Sequence, residues 1–224
     1  VNLGYLKALT PDNWEVDIID ETQELAVDED GKNVCFDKTN VALVGITSVS
    51  YQANRAYQIA TACKNNGIPV IMGGVHATSY PEEAAKYVDS VVIREAVPIW
   101  DQIISDFEKN ELKPTYDGGL TPMETYKDLL PDRKFLTDKY KYRYSGIITT
   151  AGCPFSCEFC SVPQFQGRKY RERPIDDVLN ELEAIKGQYR GLILTDENFY
   201  GHSKKSYERV RNLFKGMVDR GIYQ

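Results

Sequence analysis

The 224 residues carry 27 Lys and Arg against 33 Asp and Glu, a formal charge of −6, with 42% hydrophobic and 27% charged residues. That balance excludes a disordered tail, a collagen-like rod and a coiled coil, and the length supports two domains of about 100 residues, each able to bury a core. No apolar run approaches the roughly 18 to 20 residues of a membrane span, and the start, Val-Asn-Leu-Gly-Tyr, lacks the pattern of a signal peptide, so a cytoplasmic chain with no membrane partner is expected. The acidic balance argues against nucleic acid as the main partner while leaving room for a local basic patch.

In chain order, Leu3 to Leu9 reads as a helix. Four short runs rich in Val and Ile follow: Val16 to Ile19, Val41 to Ile46, Ile68 to Met72 and Val91 to Ile93. Such runs are expected as strands of a parallel sheet buried on both faces. Ala53 to Lys64 puts Ala56, Ile59, Ala60 and Cys63 on one helical stripe, closed by Asn66-Gly67. Pro81 opens another helix, and Val97 to Phe107 reads as an amphipathic one. Residues 1–110 are thus expected to form one α/β domain. Residues 111–145, with Pro114, Pro122, Pro131, Gly118-Gly119 and five tyrosines, read as a packed linker. From 146 the alternation returns as a strand at Gly146 to Thr150, a helix from Pro174, a strand at Leu192 to Thr195 and a helix from Ser206 to Val218. A second parallel sheet is expected over 146–224.

Three of the five cysteines crowd into Cys153-Pro-Phe-Ser-Cys157-Glu-Phe-Cys160, on a loop after a strand. Thiols at spacings of four and three can converge on one inorganic cluster, and a cluster with three protein ligands keeps one metal open to a substrate or cofactor. The alternative is a structural zinc site completed by a distant residue such as His202 or Cys63, although zinc ribbons usually use two Cys-x-x-Cys knuckles and one is present. Cys35 and Cys63 read as lone buried thiols.

Cys153-x-x-x-Cys157-x-Phe159-Cys160 resembles the signature of the radical S-adenosylmethionine (SAM) superfamily. The flanking Thr150-Ala-Gly152, Ser161-Val-Pro, Gly167 to Pro174 and Asp196-Glu-Asn-Phe199 are similar to the subgroup with an N-terminal cobalamin-binding domain. The resemblance implies a 4Fe-4S cluster on Cys153, Cys157 and Cys160, with SAM on the open iron and cleaved reductively to a 5'-deoxyadenosyl radical. Cobalamin-dependent methylation or rearrangement of a small molecule is the implied reaction class, with an electron donor such as ferredoxin or flavodoxin. Asp196, Glu197, Asn198 and Phe159 are the implied SAM contacts, with the member of the acidic turn that binds left open. Arg171 and Arg173 are expected mainly on the surface.

Residues 1–110 resemble the flavodoxin-like cobalamin domain, a Rossmann-type parallel sheet, followed by the start of a partial TIM-type (β/α) radical SAM barrel. Ser48, Ser50, Gly73 and Gly74 would line the cofactor's nucleotide tail. His76 fits a hydrogen-bonded loop histidine, and Arg94 stands where the family usually has glycine. The first strand and its Asp-x-His-x-x-Gly loop are missing from the pattern, and 64 residues follow Cys160. At about 30 residues per βα unit, that leaves room for two more units, so a segment of a longer protein, inactive alone, is expected. With no histidine placed to ligate cobalt, the domain fits either methyl transfer from a weakly coordinated cobalt or a domain that has lost cobalamin. The rivals are an RNA-modifying radical SAM enzyme, suggested by the basic and aromatic run Phe165 to Arg173, and a non-catalytic iron-sulfur or zinc protein. No catalytic side chain beyond the cofactor contacts can be named.

Overall fold

The computed structural model describes residues 2–223, which divide into two compact units, Leu9–Leu120 and residues 2–8 with 121–223. The first helix, α1 (Asn2–Leu9), therefore belongs almost wholly with the second unit, unlike the expected boundary at 110. Among the described residues no helix is long and apolar enough to cross a membrane.

The first unit is built on β1 (Val44–Thr47), β2 (Val70–Gly73), β3 (Ser90–Ile93) and β4 (Thr115–Asp117), all parallel and adjacent in chain order. Between them run α2 (Ala53–Asn65), α3 (Gly74–Ser79), α4 (Pro81–Ala84) and α5 (Trp100–Glu108). The period of two along each strand sorts the core into two layers. Val70, Met72 and Val91 face Ala56, Ile59, Ala60 and Cys63 of α2, whereas Ile71, Val92 and Tyr116 face Ile103 of α5. Burial on both faces requires the apolar strand composition seen in the sequence.

Two expectations fail here. Val16 to Ile19 is not a strand: Ile18 is buried, but the segment has no ladder partner among the described residues. The fourth strand comes instead from the expected linker, at Thr115–Asp117, where only Tyr116 turns inward and an apolar run is lacking. Cys63 is buried as expected, and burial pushes its thiol up to about 11. Cys35 is exposed, because its segment makes only a short bridge near Val27 and Val34.

The second unit contains α1, β5 (Tyr144–Ile147), β6 (Thr150–Ala151), α6 (Val162–Phe165), β7 (Arg171–Glu172), α7 (Ile175–Ala184), β8 (Gly191–Leu194) and α8 (Lys204–Asp219). β5 and β8 pair in parallel, and β6 and β7 pair antiparallel. Ile147, Val178, Leu179, Leu182 and Leu213 form the core. Gly216 of α8 sits against α7, where a Cβ would meet Leu179 Cδ1 at 2.4 Å. Ser203 caps α8 by accepting from Ser206 N–H.

Arg171 and Arg173 are buried, contrary to the surface expectation. Arg171 donates to the carbonyls of Thr121 and Gln166. Arg173 pairs with Asp177 and with the fully buried Glu181, which also takes Arg133 and the Tyr5 hydroxyl. In this cluster two cations, Arg133 and Arg173, face two carboxylates, Asp177 and Glu181, the pairing under which buried ions are tolerated.

Candidate functional site

In each unit the candidate residues lie beyond the carboxyl ends of parallel strands, the edge where open α/β sheets and barrels bind ligands. In the first unit Ser48 to Ser50 follow β1, Gly73 ends β2 and Gly74 begins α3. The two glycines do different work. Gly74 has φ +92°, and a Cβ there would lie 2.5 Å from Thr47 Oγ1 and 3.0 Å from Ser48 O, so the chain's own β1 loop fills that space. Gly73 has extended backbone, and a Cβ would meet Val92 at an ordinary 3.5 Å. Nothing inside this unit demands glycine at 73. Beside them the Ser48 hydroxyl is buried without a hydrogen-bond partner among the described residues. An orphaned donor and acceptor at a ligand-binding edge is chemistry that fits a polar cofactor tail.

His76 lies in α3, not in a loop, and is buried: its backbone N–H donates to Ser48 O at 3.1 Å, and its ring contacts Ser50 and Tyr57. Arg94 adopts φ +64°, the left-handed conformation that explains the family's glycine there. It is held by its N–H on Thr78 Oγ1 at 2.9 Å and by a forked pair to Asp117 at 2.7 and 3.0 Å.

In the second unit the cysteine loop is closed at its base. Gly152, at φ +79°, fits under Lys169 O, where a Cβ would approach to 2.2 Å. Its N–H donates to Gln166 Oε1 at 3.0 Å, and Cys153 N–H to Gly167 O at 3.1 Å. Cys157 and Cys160 are joined by a turn, Cys160 N–H to Cys157 O at 3.1 Å. Cys157 is exposed, Cys153 and Cys160 are half-buried, and all three are free thiols. Among the described residues no three His, Cys, Asp or Glu side chains gather within reach of one metal ion, so the loop carries the donors without converging them. Three free thiols on one tethered loop still fit an iron-sulfur cluster as a donor set, because thiolates repel one another until a metal offsets their charge. Neither His202 nor Cys63 joins them: His202 packs on the rings of Phe155 and Tyr170, and Cys63 is enclosed in the other unit's core.

The acidic turn after β8 divides its labour. Asp196 accepts from the N–H and hydroxyl of both Thr149 and Thr150, so its carboxylate is spent on latching the turn after β8 to the start of β6. Sequence reasoning missed this role, whose one signal was an Asp directly after a strand. Asn198 donates weakly to Cys153 Sγ at 3.7 Å and accepts from Gly201 N–H at 3.1 Å. Glu197 is exposed and makes no hydrogen bond among the described residues; partial burial, then the Asp196 charge, hold its carboxyl above the usual carboxylate range. Phe159 is 93% exposed beside Cys160.

Residues 1–102 match the B12 binding domain family and residues 147–219 the radical SAM superfamily. A bacteriochlorophyllide d C-8(2)-methyltransferase of Chlorobaculum tepidum is 32% identical over 93% of this chain and 48% of its own length. The cobalamin-dependent radical SAM enzyme OxsB, solved with aqua-cobalamin and SAM, superposes with TM-score 0.63 at 19% identity, over 79% of this chain and 28% of that one. The radical SAM methyltransferase TsrM of Kitasatospora setae, solved with cobalamin and a [4Fe-4S] cluster, gives TM-score 0.62 at 19% identity, over 80% and 41%. The chain thus spans about half the length of the curated relative, and its fold is that of the two solved enzymes.

Proposed function

Because this chain belongs to the radical SAM superfamily, in the group that carries a B12-binding domain ahead of the radical SAM segment, we propose that the full-length protein is a cobalamin-dependent radical SAM methyltransferase of a small molecule. The observation that carries it is the coexistence, at two strand-end loops of one chain, of a free three-thiol set and a buried, unpartnered Ser48 hydroxyl beside an unobstructed Gly73. When bound, the cluster supplies the electron that cleaves SAM, and cobalamin supplies a methyl carrier.

Cys153, Cys157 and Cys160 would hold the cluster through their thiolates, and a cluster with three protein ligands would leave a metal open to SAM. Glu197 is the carboxylate of the acidic turn available to an ammonium group, since the Asp196 oxygens are engaged. Asp196 keeps the Thr149–Thr150 strand end, and with it the cysteine loop, in register. Asn198 steadies Cys153, and Phe159 offers an apolar face to SAM. Ser48, Ser50, Gly73 and Gly74 line the cobalamin tail. The inward turn of Arg171 and Arg173 removes two cations from the basic run and supports a small-molecule substrate over RNA. A ferredoxin or flavodoxin serves as electron donor in the cytoplasm.

The test is anaerobic reconstitution of the full-length protein with iron and sulfide, followed by titration with hydroxocobalamin. A 4Fe-4S cluster with one labile iron and saturable cobalamin binding are the expected results. Stoichiometric zinc with no uptake of iron would end the radical reading, and absence of binding in a well-folded protein would remove cobalamin.

A further inference from the structure

The exposed Ser50 hydroxyl is one end of a hydrogen-bond chain whose middle members, His76 and Tyr57, are buried. His76, 4% exposed, has Nδ1 3.3 Å from Ser50 Oγ and Nε2 2.7 Å from the Tyr57 hydroxyl. The Tyr57 hydroxyl in turn donates to Glu83 Oε1 at 3.1 Å. With the imidazole neutral, one arrangement of protons satisfies all three contacts, and it leaves Nε2–H facing Glu83 Oε1 as well, at 3.6 Å. An ionised carboxylate only accepts, so the single phenolic proton is committed to Glu83. Tyr57 must then accept from His76, which puts the imidazole proton on Nε2 and leaves Nδ1 as an acceptor. Nδ1 takes the Ser50 proton. Facing away from the ring, Ser50 has lone pairs to offer and no proton.

The surroundings keep this order. Burial, and after it the Glu83 hydrogen bond, raise the Tyr57 pKa, so the phenol keeps its proton. The Tyr57 ring stacks on Tyr87 at 4.0 Å and meets His76 edge-on, and Tyr80 tilts against the other side of the imidazole at 5.3 Å. The His76 backbone N–H also holds Ser48 O, which ties α3 to the loop after β1.

We infer that Ser50, His76, Tyr57 and Glu83 form a polarity-setting relay that presents Ser50 as a hydrogen-bond acceptor and so selects a ligand group that donates. The inference rests on the proposed cobalamin site and deepens it: the matching group is an N–H or O–H donor such as a primary carboxamide of cobalamin, and a bare carboxylate is disfavoured. His76, Tyr57 and Glu83 are positioning residues that act through Ser50.

The relay is tested in the full-length protein labelled with 15N-histidine, at about pH 8. Among this chain's residues only His76 and His202 are histidine, and His76→Gln assigns the signal. The imidazole nitrogen shifts are expected to report the Nε2–H tautomer in the absence of ligand, with Tyr57→Phe moving the population toward Nδ1–H. In hydroxocobalamin titrations followed by visible absorbance, Ser50→Ala and Tyr57→Phe should each raise Kd about 3- to 10-fold, the worth of one hydrogen bond. The double variant should be no weaker than Ser50→Ala alone, because Tyr57 acts through Ser50. An Nδ1–H tautomer in the unmodified protein overturns the relay, as does a Tyr57→Phe effect that persists undiminished in the Ser50→Ala background. No saturable binding together with an Nε2–H tautomer leaves the relay standing and removes cobalamin as its ligand, so the two failures are distinguishable.

Discussion

The two strand-end loops prepare for their ligands in opposite ways. In the first unit the groups around Ser50 and Gly74 are ordered by the chain's own hydrogen bonds and packing, while the Ser48 hydroxyl is buried without a partner among the described residues. In the second, three thiols sit on a loop fixed at its base yet remain apart. A hydrogen-bond network whose donors find acceptors within the chain stabilises itself. A cluster of would-be thiolates cannot, and it forms with its metal. A site can thus be legible as a preformed shape in one unit and only as a donor set in the other.

The sharpest contrast lies in the cysteines. Replacing Cys153, Cys157 or Cys160 with Ala should abolish the cluster absorption after reconstitution, whereas Cys35→Ala and Cys63→Ala should leave it. Loss of the cluster in the Cys63 variant would break the separation between the two units' thiols, which its enclosure in the first unit's core supports.

Next in size is the pair of adjacent glycines. Gly74→Ala introduces a Cβ at φ +92° against Thr47 and Ser48, and should cost about 2–4 kcal/mol in chemical denaturation. Gly73→Val should unfold near the parent's midpoint while weakening cobalamin binding at least about tenfold, because extended backbone accepts a side chain and only the ligand loses room. Equal destabilisation by both substitutions would mean that the protein itself, not a ligand, needs the double glycine.

Asp196 and Glu197 divide in the same manner. Asp196→Ala leaves the buried amides of Thr149 and Thr150 without their acceptor and should cost about 2–4 kcal/mol of stability. Glu197→Gln should leave the thermal midpoint nearly unchanged and weaken SAM binding. The smallest effect is its pH dependence. The raised pKa means that the folded chain releases the Glu197 proton at higher pH than the unfolded chain does. The carboxyl's contribution to stability is therefore present below its unfolded pKa and lost as pH rises through the folded one. SAM affinity should move oppositely, strengthening as pH rises through that same range, since the ammonium needs the carboxylate. A SAM affinity that stays flat as pH rises from the ordinary carboxylate range, measured by calorimetry, would show that another group grips SAM.

The alternation of apolar runs with helical stripes was enough to read β1, β2 and β3 of the first unit, its α2 stripe and the cysteine loop, because those patterns follow from local periodicity and residue chemistry. The sequence also pointed to Asp196-Glu197-Asn198 as a turn after a strand. Which carboxylate is engaged was decided by the approach of Thr149 and Thr150, about 47 residues away in the chain. Likewise Val16 to Ile19 has strand composition but no ladder partner, while Thr115–Asp117, poor in apolar residues, became a strand because the β3 edge was open to it. The burial of Arg171 and Arg173 is decided partly in the same way: Arg171 meets the Thr121 oxygen, 50 residues away, and Arg173 adds to the nearby carboxylates of Asp177 and Glu181 the Tyr5 hydroxyl, 168 residues away. Local patterns are written in neighbouring residues, whereas partners, and with them the division between latch and ligand, exist only once remote segments share one place.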